Sequence, residues 1–148
     1  MLLEQIQSEM IASLKSGDKL RTETLRFLIS AVKKYQIDMY PPASTGSLTD
    51  EDVSKIIRKQ VKTHEESIMA FQKGNRPDLV EKEEKELATL KKYLPAELTD
   101  HEIRSIVKSV VTTGQTQFGP VMGIVMKQVV GRASGDRVGK IVKEELQK

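Results

Sequence analysis

No cysteine occurs in the 148 residues, and tryptophan is absent as well. The first absence excludes disulfides and thiolate metal sites, and a reducing cytoplasm is the expected compartment. The second, with only three Phe and three Tyr, leaves Leu, Ile, Val and Met to fill the core. Hydrophobic residues make up 38% of the chain and charged residues 30%, a balance that suits thin helical bundles rather than a thick α/β core. No apolar run approaches the ~18 residues of a membrane span. The opening Met1-Leu2-Leu3-Glu4-Gln5 lacks the basic segment of a signal peptide. A nucleophile needs an activating base and an orienting group, yet no Gly-x-Ser-x-Gly elbow and no phosphate-binding Gly-x-x-x-x-Gly-Lys loop occurs. The chain is therefore expected not to be an enzyme, and no cofactor is expected.

Histidine is scarce too. His64 falls on an apolar helical stripe, where a half-buried packing role is the expectation, and His101 falls in the first turn of a helix. The segment His64-Glu65-Glu66 lacks the second histidine of a metalloprotease helix, so no metal site is expected.

What is present is helical periodicity. Leu3, Ile6, Met10 and Leu14 recur at three- and four-residue steps, and Ser16-Gly17-Asp18 ends that helix and caps the next. Leu25, Leu28, Ile29, Val32 and Gln36 form the stripe of a second helix. Tyr40-Pro41-Pro42 and the small residues after it form a linker. Thr49, with Asp52 three residues on, has the pattern of a capping box. It opens a third helix striped by Val53, Ile57, Val61, His64, Ile68 and Phe71. Gly74-Asn75-Arg76-Pro77 breaks this helix. Asp78 and Glu81 are expected to cap a fourth, with Val80, Leu87, Leu90 and Leu94 as apolar positions and Glu81 to Glu86 as its solvated face.

Pro95 marks a boundary, because the residue before a proline is pushed out of helical geometry. After it, Thr99 and Glu102 form a second capping box, leading a helix through Ile103, Ile106, Val107, Val110 and Val111 to Gly114. Gly119-Pro120 is expected to start the next helix, running to Val130 and stopped by Gly131. Ser134-Gly135-Asp136 starts the last, with Val138, Ile141, Val142 and Leu146 inside. The expected fold is all-α: an N-terminal bundle of about four helices over residues 1–95 and a three-helix domain over 96–148.

Glycine and positive charge concentrate in that last third. Six of the nine glycines fall between Gly114 and Gly139. Residues 98–148 carry 8 Lys/Arg against 5 Asp/Glu, whereas residues 1–97 are balanced at 16 each. Gly119, Gly131 and Gly135 read as caps. Gly123 and Gly139 lie inside helices, where glycine costs about 1 kcal/mol relative to alanine. Close helix packing and an RNA backbone lying against the helix both account for them. Lys127, Arg132, Arg137, Lys140 and Lys143 supply charge for the second reading, and Ser134 with the nearby amides offers phosphate a helix start.

The segment Gly123-x-Val125-Met126-Lys127-x-x-x-Gly131-Arg132-Ala133, followed by Val138, resembles the C-terminal signature of the GatB/YqeY domain family. Tyr93-Leu94-Pro95-Ala96-Glu97-Leu98, Gly74 to Val80 and Arg21-x-x-x-Leu25-Arg26 resemble its stand-alone YqeY branch. The chain departs from the family pattern at Gln117 and Pro120. The resemblance implies an all-helical protein like the tail of the tRNA-dependent amidotransferase B subunit, which helps hold tRNA while other domains do the chemistry. A similar module extends some glutaminyl-tRNA synthetases. The implied function is a small non-catalytic tRNA-binding accessory protein, with Gly123, Lys127, Gly131, Arg132, Ser134, Gly135, Arg137, Lys140 and Lys143 facing RNA. Recognition would be by shape and phosphate, since few aromatics are available to stack bases. The alternative is an adaptor that docks on an amidotransferase or an aminoacyl-tRNA synthetase. Glutamine-dependent carbon–nitrogen ligase activity of the chain itself is the least favoured reading, and no membrane partner is expected.

Overall fold

The computed structural model describes residues 1–148, all of them in helices or the turns between. The chain divides into two compact units, Met1–Leu94 and Pro95–Lys148. The first holds α1 (Leu2–Ser16), α2 (Lys19–Met39), α3 (Asp50–Lys73) and α4 (Pro77–Lys91). The second holds α5 (Asp100–Thr112), α6 (Phe118–Val129) and α7 (Gly135–Leu146). There is no strand, and no helix is long and apolar enough to cross a membrane.

In the first unit α1 packs along α2, α3 along α4, and α2 against both α3 and α4. The core is Ile6, Leu25, Leu28, Ile29, Val32, Val53, Ile57, Val61 and Leu90. Two stripe positions expected inside lie outside. Leu14 is 54% exposed, and the buried residue of that turn is Ser13, whose hydroxyl meets that of Thr22 at 2.9 Å across the α1–α2 pair. Two small hydroxyls let the helices approach where a leucine would hold them apart. Gln36 is exposed, since the last turns of α2 run past the core.

The turns follow local chemistry. Gly17 sits at φ 80, the left-handed geometry that closes α1, and Asp18 accepts from the Arg21 amide at 3.2 Å. The start of α4 departs from expectation. Asp78 does not cap it; Arg76 is the cap residue, with Pro77 in the first turn where a missing N–H costs nothing. Asp78 instead pairs with the Arg76 guanidinium at 3.1 Å.

Asp52 ties three segments together. Its carboxylate accepts from the Thr49 amide at 3.0 Å and the Thr49 hydroxyl at 2.9 Å. It also accepts from the Tyr40 hydroxyl at 3.0 Å and the Tyr35 hydroxyl at 3.3 Å. The end of α2, the linker and the start of α3 thus converge on one buried carboxylate. These bonds, the Thr49 amide first, hold its pKa below the ordinary 3.8, against the opposing effect of desolvation.

The second unit closes around Ile103, Val107, Val110, Val121, Val125, Val129, Ala133, Val138, Ile141 and Val142, with Leu98 added from the segment before α5. Its three helices pack pairwise. Both capping boxes expected from sequence are formed, at Thr49 and at Thr99. α6 starts at Phe118, one residue earlier than expected, on an extended Gln117 that gives no side-chain cap. It ends at Val129 rather than Val130, because Val130 itself takes the left-handed conformation at φ 46, followed by Gly131 at φ 73.

Leu90 is fully buried where α4 meets the rest of its unit, so Leu90→Ala is expected to cost about 2–5 kcal/mol in urea unfolding. Asp52 contributes stability above its unfolded pKa of 3.8 and loses it as the pH falls through the lower folded value. The unfolding midpoint should therefore drop on acidification below about pH 4. In Asp52→Asn it should start lower at neutral pH and drop less steeply.

Candidate nucleic-acid interface

The α6–α7 hairpin carries all nine residues singled out for RNA contact. α6 and α7 are joined by a five-residue turn, 130–134. The Lys143 ammonium near the end of α7 lies 5.7 Å from the Phe118 ring centroid at the start of α6, so the two helices run antiparallel. The nine residues are strung along this hairpin rather than gathered at one point. Arg137 and Lys143 alone are separated by about 9 Å of helix rise.

The two arginines at the turn are held by main chain. The Leu98 amide donates to the Arg132 carbonyl at 2.8 Å, and Arg132 Nε donates to the Ala96 carbonyl at 2.9 Å. Arg137 Nη2 donates to the Leu98 carbonyl at 2.8 Å and to the Asp100 carboxylate at 2.8 Å. The Arg137 contact comes first among the causes that hold the Asp100 carboxyl below its usual range. Ala133 is buried beside this turn. The turn residues of the Gly131-Arg132-Ala133 signature thus have a structural role: a left-handed glycine, a strap to the segment before α5, and a small core residue.

Ser134 caps α7, its hydroxyl oxygen accepting from the Arg137 amide at 3.3 Å. The first turn of α7 also carries Asp136, whose carboxylate occupies the positive end of the helix dipole in competition with a phosphate. Lys127 and Lys140 are exposed, and neither is in an ion pair. Lys143 shares its charge with the Phe118 ring.

The glycines separate into types. A Cβ at Gly139 would meet Phe118 and Met122 at 3.8–3.9 Å, ordinary contact where α7 lies on α6. A Cβ at Gly123 would meet nothing within 4 Å, and the residue is exposed in the middle of α6 without a positive φ. Close helix packing does not account for Gly123. Gly119 and Gly135 are equally open, but both lie in first turns.

Several features of this unit were not evident in the sequence. Glu145, 9% exposed, accepts from Arg104 at 2.9 Å and from Lys148 at 2.9 Å. Those contacts, Lys148 first, hold its pKa below the ordinary carboxylate value. Val130 is a β-branched residue in left-handed geometry and 53% exposed, a strained arrangement. In the first unit, His64 lies against Glu83 and Glu86 of α4, a juxtaposition that a separation of 19 residues conceals. Glu83 and Glu86, expected on the solvated face of α4, are therefore mostly buried, and the available signal was Glu83 itself, which falls on the α4 stripe between Val80 and Leu87.

Because nothing occupies the space beside Gly123, Gly123→Ala should stabilise the protein by about 0.5–1 kcal/mol, read as a higher unfolding midpoint in urea. A lower midpoint would mean that α6 cannot carry a side chain there.

Comparison with known proteins adds the lineage. The family model described as "Yqey-like protein" matches residues 3–146. "Altered inheritance of mitochondria protein 41, mitochondrial" of Pyrenophora tritici-repentis is 30% identical over 152 residues, spanning 97% of this chain and 80% of that protein. The protein of the same name in Clavispora lusitaniae is 31% identical over 106 residues, 70% of this chain and 58% of its own length. "Uncharacterized protein C22F3.15" of Schizosaccharomyces pombe is 33% identical over 90 residues, 61% and 69% respectively. The chain belongs to the Yqey-like protein family.

Proposed function

We propose that this chain is a non-catalytic accessory protein that binds tRNA through the exposed side of its α6–α7 hairpin. The observation that carries the reading is Gly123. It sits in mid-helix at a cost of about 1 kcal/mol, with open space around it and Lys127 one turn further on. A residue that weakens its helix and eases no internal contact fits a surface on which something else lies close. Lys127, Lys140 and Lys143 are the cations offered to phosphates. Arg132 and Arg137 strap the turn. The family resemblance to the amidotransferase tail supports tRNA as the RNA. The Gln117 and Pro120 departures fall at the start of α6, whose cap uses no side chain.

The adaptor reading, in which the chain docks on an amidotransferase or aminoacyl-tRNA synthetase, is favoured by one observation. With Arg132 and Arg137 engaged by carbonyls, the free positive charge is small for a strong RNA binder. A ligase activity of the chain itself has no candidate residues in this hairpin. Two of these three relatives carry "mitochondrial" in their names, and the cytoplasmic compartment expected from composition finds no support among the three. Both compartments contain tRNA, so the proposed function holds in either.

Binding of folded tRNA, duplex DNA and single-stranded RNA to the full chain, measured from about 50 to 200 mM salt, tests the reading. The expected result is preference for tRNA. In Lys127→Ala/Lys140→Ala, which breaks no structural hydrogen bond, affinity should fall and the salt slope should drop by up to about two. Gly123→Ala should weaken tRNA binding while raising stability. Equal weak binding to every polyanion, or unchanged affinity in both variants, would favour the adaptor.

A further inference from the structure

The α3–α4 seam is largely apolar, with one partly buried layer of titratable side chains. On α3 the stripe Val61, His64, Ile68 is interrupted by imidazole. On α4 the stripe Val80, Glu83, Leu87, Leu90 is interrupted by a carboxylate, with Glu86 one turn on at the three-residue spacing that shares a helix face. His64 Nδ1 contacts Glu83 Oε2 and lies 3.5 Å from Glu86 Oε2. All three side chains are mostly buried, at 17%, 18% and 16% exposure.

As an ion pair this layer is unbalanced. One imidazole, even when protonated, meets two carboxylates, and its partners in ion-pair range are these two alone. Lys82 acts on Glu86 only at longer range, while Glu23 of α2 adds further negative charge. Burial, Glu83 and Glu23 all push the Glu86 pKa up, His64 and Lys82 only partly offsetting them. Excess carboxylate in a partly buried seam is destabilising unless a cation neutralises it.

An independent observation concerns Gln60, one turn before His64 on α3. Its side-chain oxygen is buried and accepts no hydrogen bond, which is costly for an acceptor shielded from water. Gln60 lines the same cavity as His64, Glu86 and Glu23, with Thr24 and Phe27 on the α2 side. A residue with an unpaired buried oxygen thus lines a cavity whose other polar lining includes an imidazole and two carboxylates.

We infer that His64, Glu83 and Glu86 form a binding site for a divalent transition-metal ion that clamps α3 to α4. Their ligand atoms all lie within 4.8 Å of one another. Ligands of a tetrahedral zinc ion at ~2.0–2.1 Å stand about 3.3 Å apart. The His64–Glu86 separation of 3.5 Å already matches that edge, and rotation of the glutamates adjusts the other two. Imidazole favours Zn²⁺ and its neighbours over Mg²⁺ or Ca²⁺, which take all-oxygen shells. The ion supplies the positive charge that the layer lacks. Gln60 and Glu23 border its open side. Helical bundles commonly build such sites from glutamates and a histidine on facing helices.

The test uses the full chain, stripped of metal with a chelator and titrated with Zn²⁺ at neutral pH, by calorimetry and by thermal unfolding. The expected result is one Zn²⁺ per chain at micromolar affinity or tighter, a raised melting temperature on loading, and no comparable effect of Mg²⁺. His64→Gln and Glu83→Gln should each weaken binding by tenfold or more, and His101→Gln should leave it unchanged. Glu86→Gln is the variant that guards against misfolding. Without metal it should be at least as stable as the parent, because it removes a repelled carboxylate, yet it too should lose Zn²⁺ affinity by tenfold or more. Absence of saturable one-to-one binding, or affinity within about threefold of the parent in His64→Gln and Glu86→Gln, would overturn the site.

Discussion

The α6–α7 turn is fastened to the segment before α5 in both directions. The Leu98 amide donates to the Arg132 carbonyl, while Arg132 and Arg137 donate back to the carbonyls of Ala96 and Leu98. Three short helices with a valine-rich core bury little area per residue, and small domains are marginal for that reason. Pinning the turn to an extended strap adds Leu98 to the core and fixes where α7 begins. It also fixes what the hairpin presents outward. With two of its five cations used internally, the lysines and the bare backbone at Gly123 are what the proposed RNA contact relies on.

The first unit solves a related problem with carboxylates. Each of the three tyrosines bonds to one: Tyr35 and Tyr40 to Asp52, and Tyr93 to Glu9. Burial, followed by the Glu9 contact, pushes the Tyr93 hydroxyl up to about 12, so it stays a donor at any physiological pH. Asp52 and Glu9 thereby join segments distant in sequence without requiring a larger apolar core. The His64–Glu83–Glu86 layer has the same ingredients but an excess of acid. That excess distinguishes it from the satisfied tyrosine contacts and makes a cation its natural complement.

Local and periodic features were legible in the sequence: seven helices, the Thr49 and Thr99 capping boxes, the glycine stops and the all-α class. Such features depend on residues within a turn or two of each other, where spacing alone determines the outcome. Most departures arose where a distant partner decided. Leu14 lies outside because Ser13 and Thr22 meet across two helices. One departure is local: Asp78 pairs with Arg76, two residues away, instead of capping. Val130 adopts a left-handed conformation that its own side chain disfavours, because the turn is held from outside by the segment at Ala96–Leu98. In the candidate interface, the basic and glycine-rich character was visible from composition, but not which cations were already committed.

By itself the sequence determined the seven helices to within a residue or two, most of their apolar positions, and membership in a family through a signature near its end. Each rests on neighbours in the chain. Only the tertiary structure decided that Arg132 and Arg137 hold carbonyls while Lys127 and Lys140 stay free. It alone decided that Gly123 faces open space while Gly139 faces a helix, and that His64 meets two glutamates from α4. The physical reason is common to all of these. Hydrogen bonds, open volume and unbalanced charge are properties of groups brought together across the fold, and no spacing along the chain encodes the distance between them.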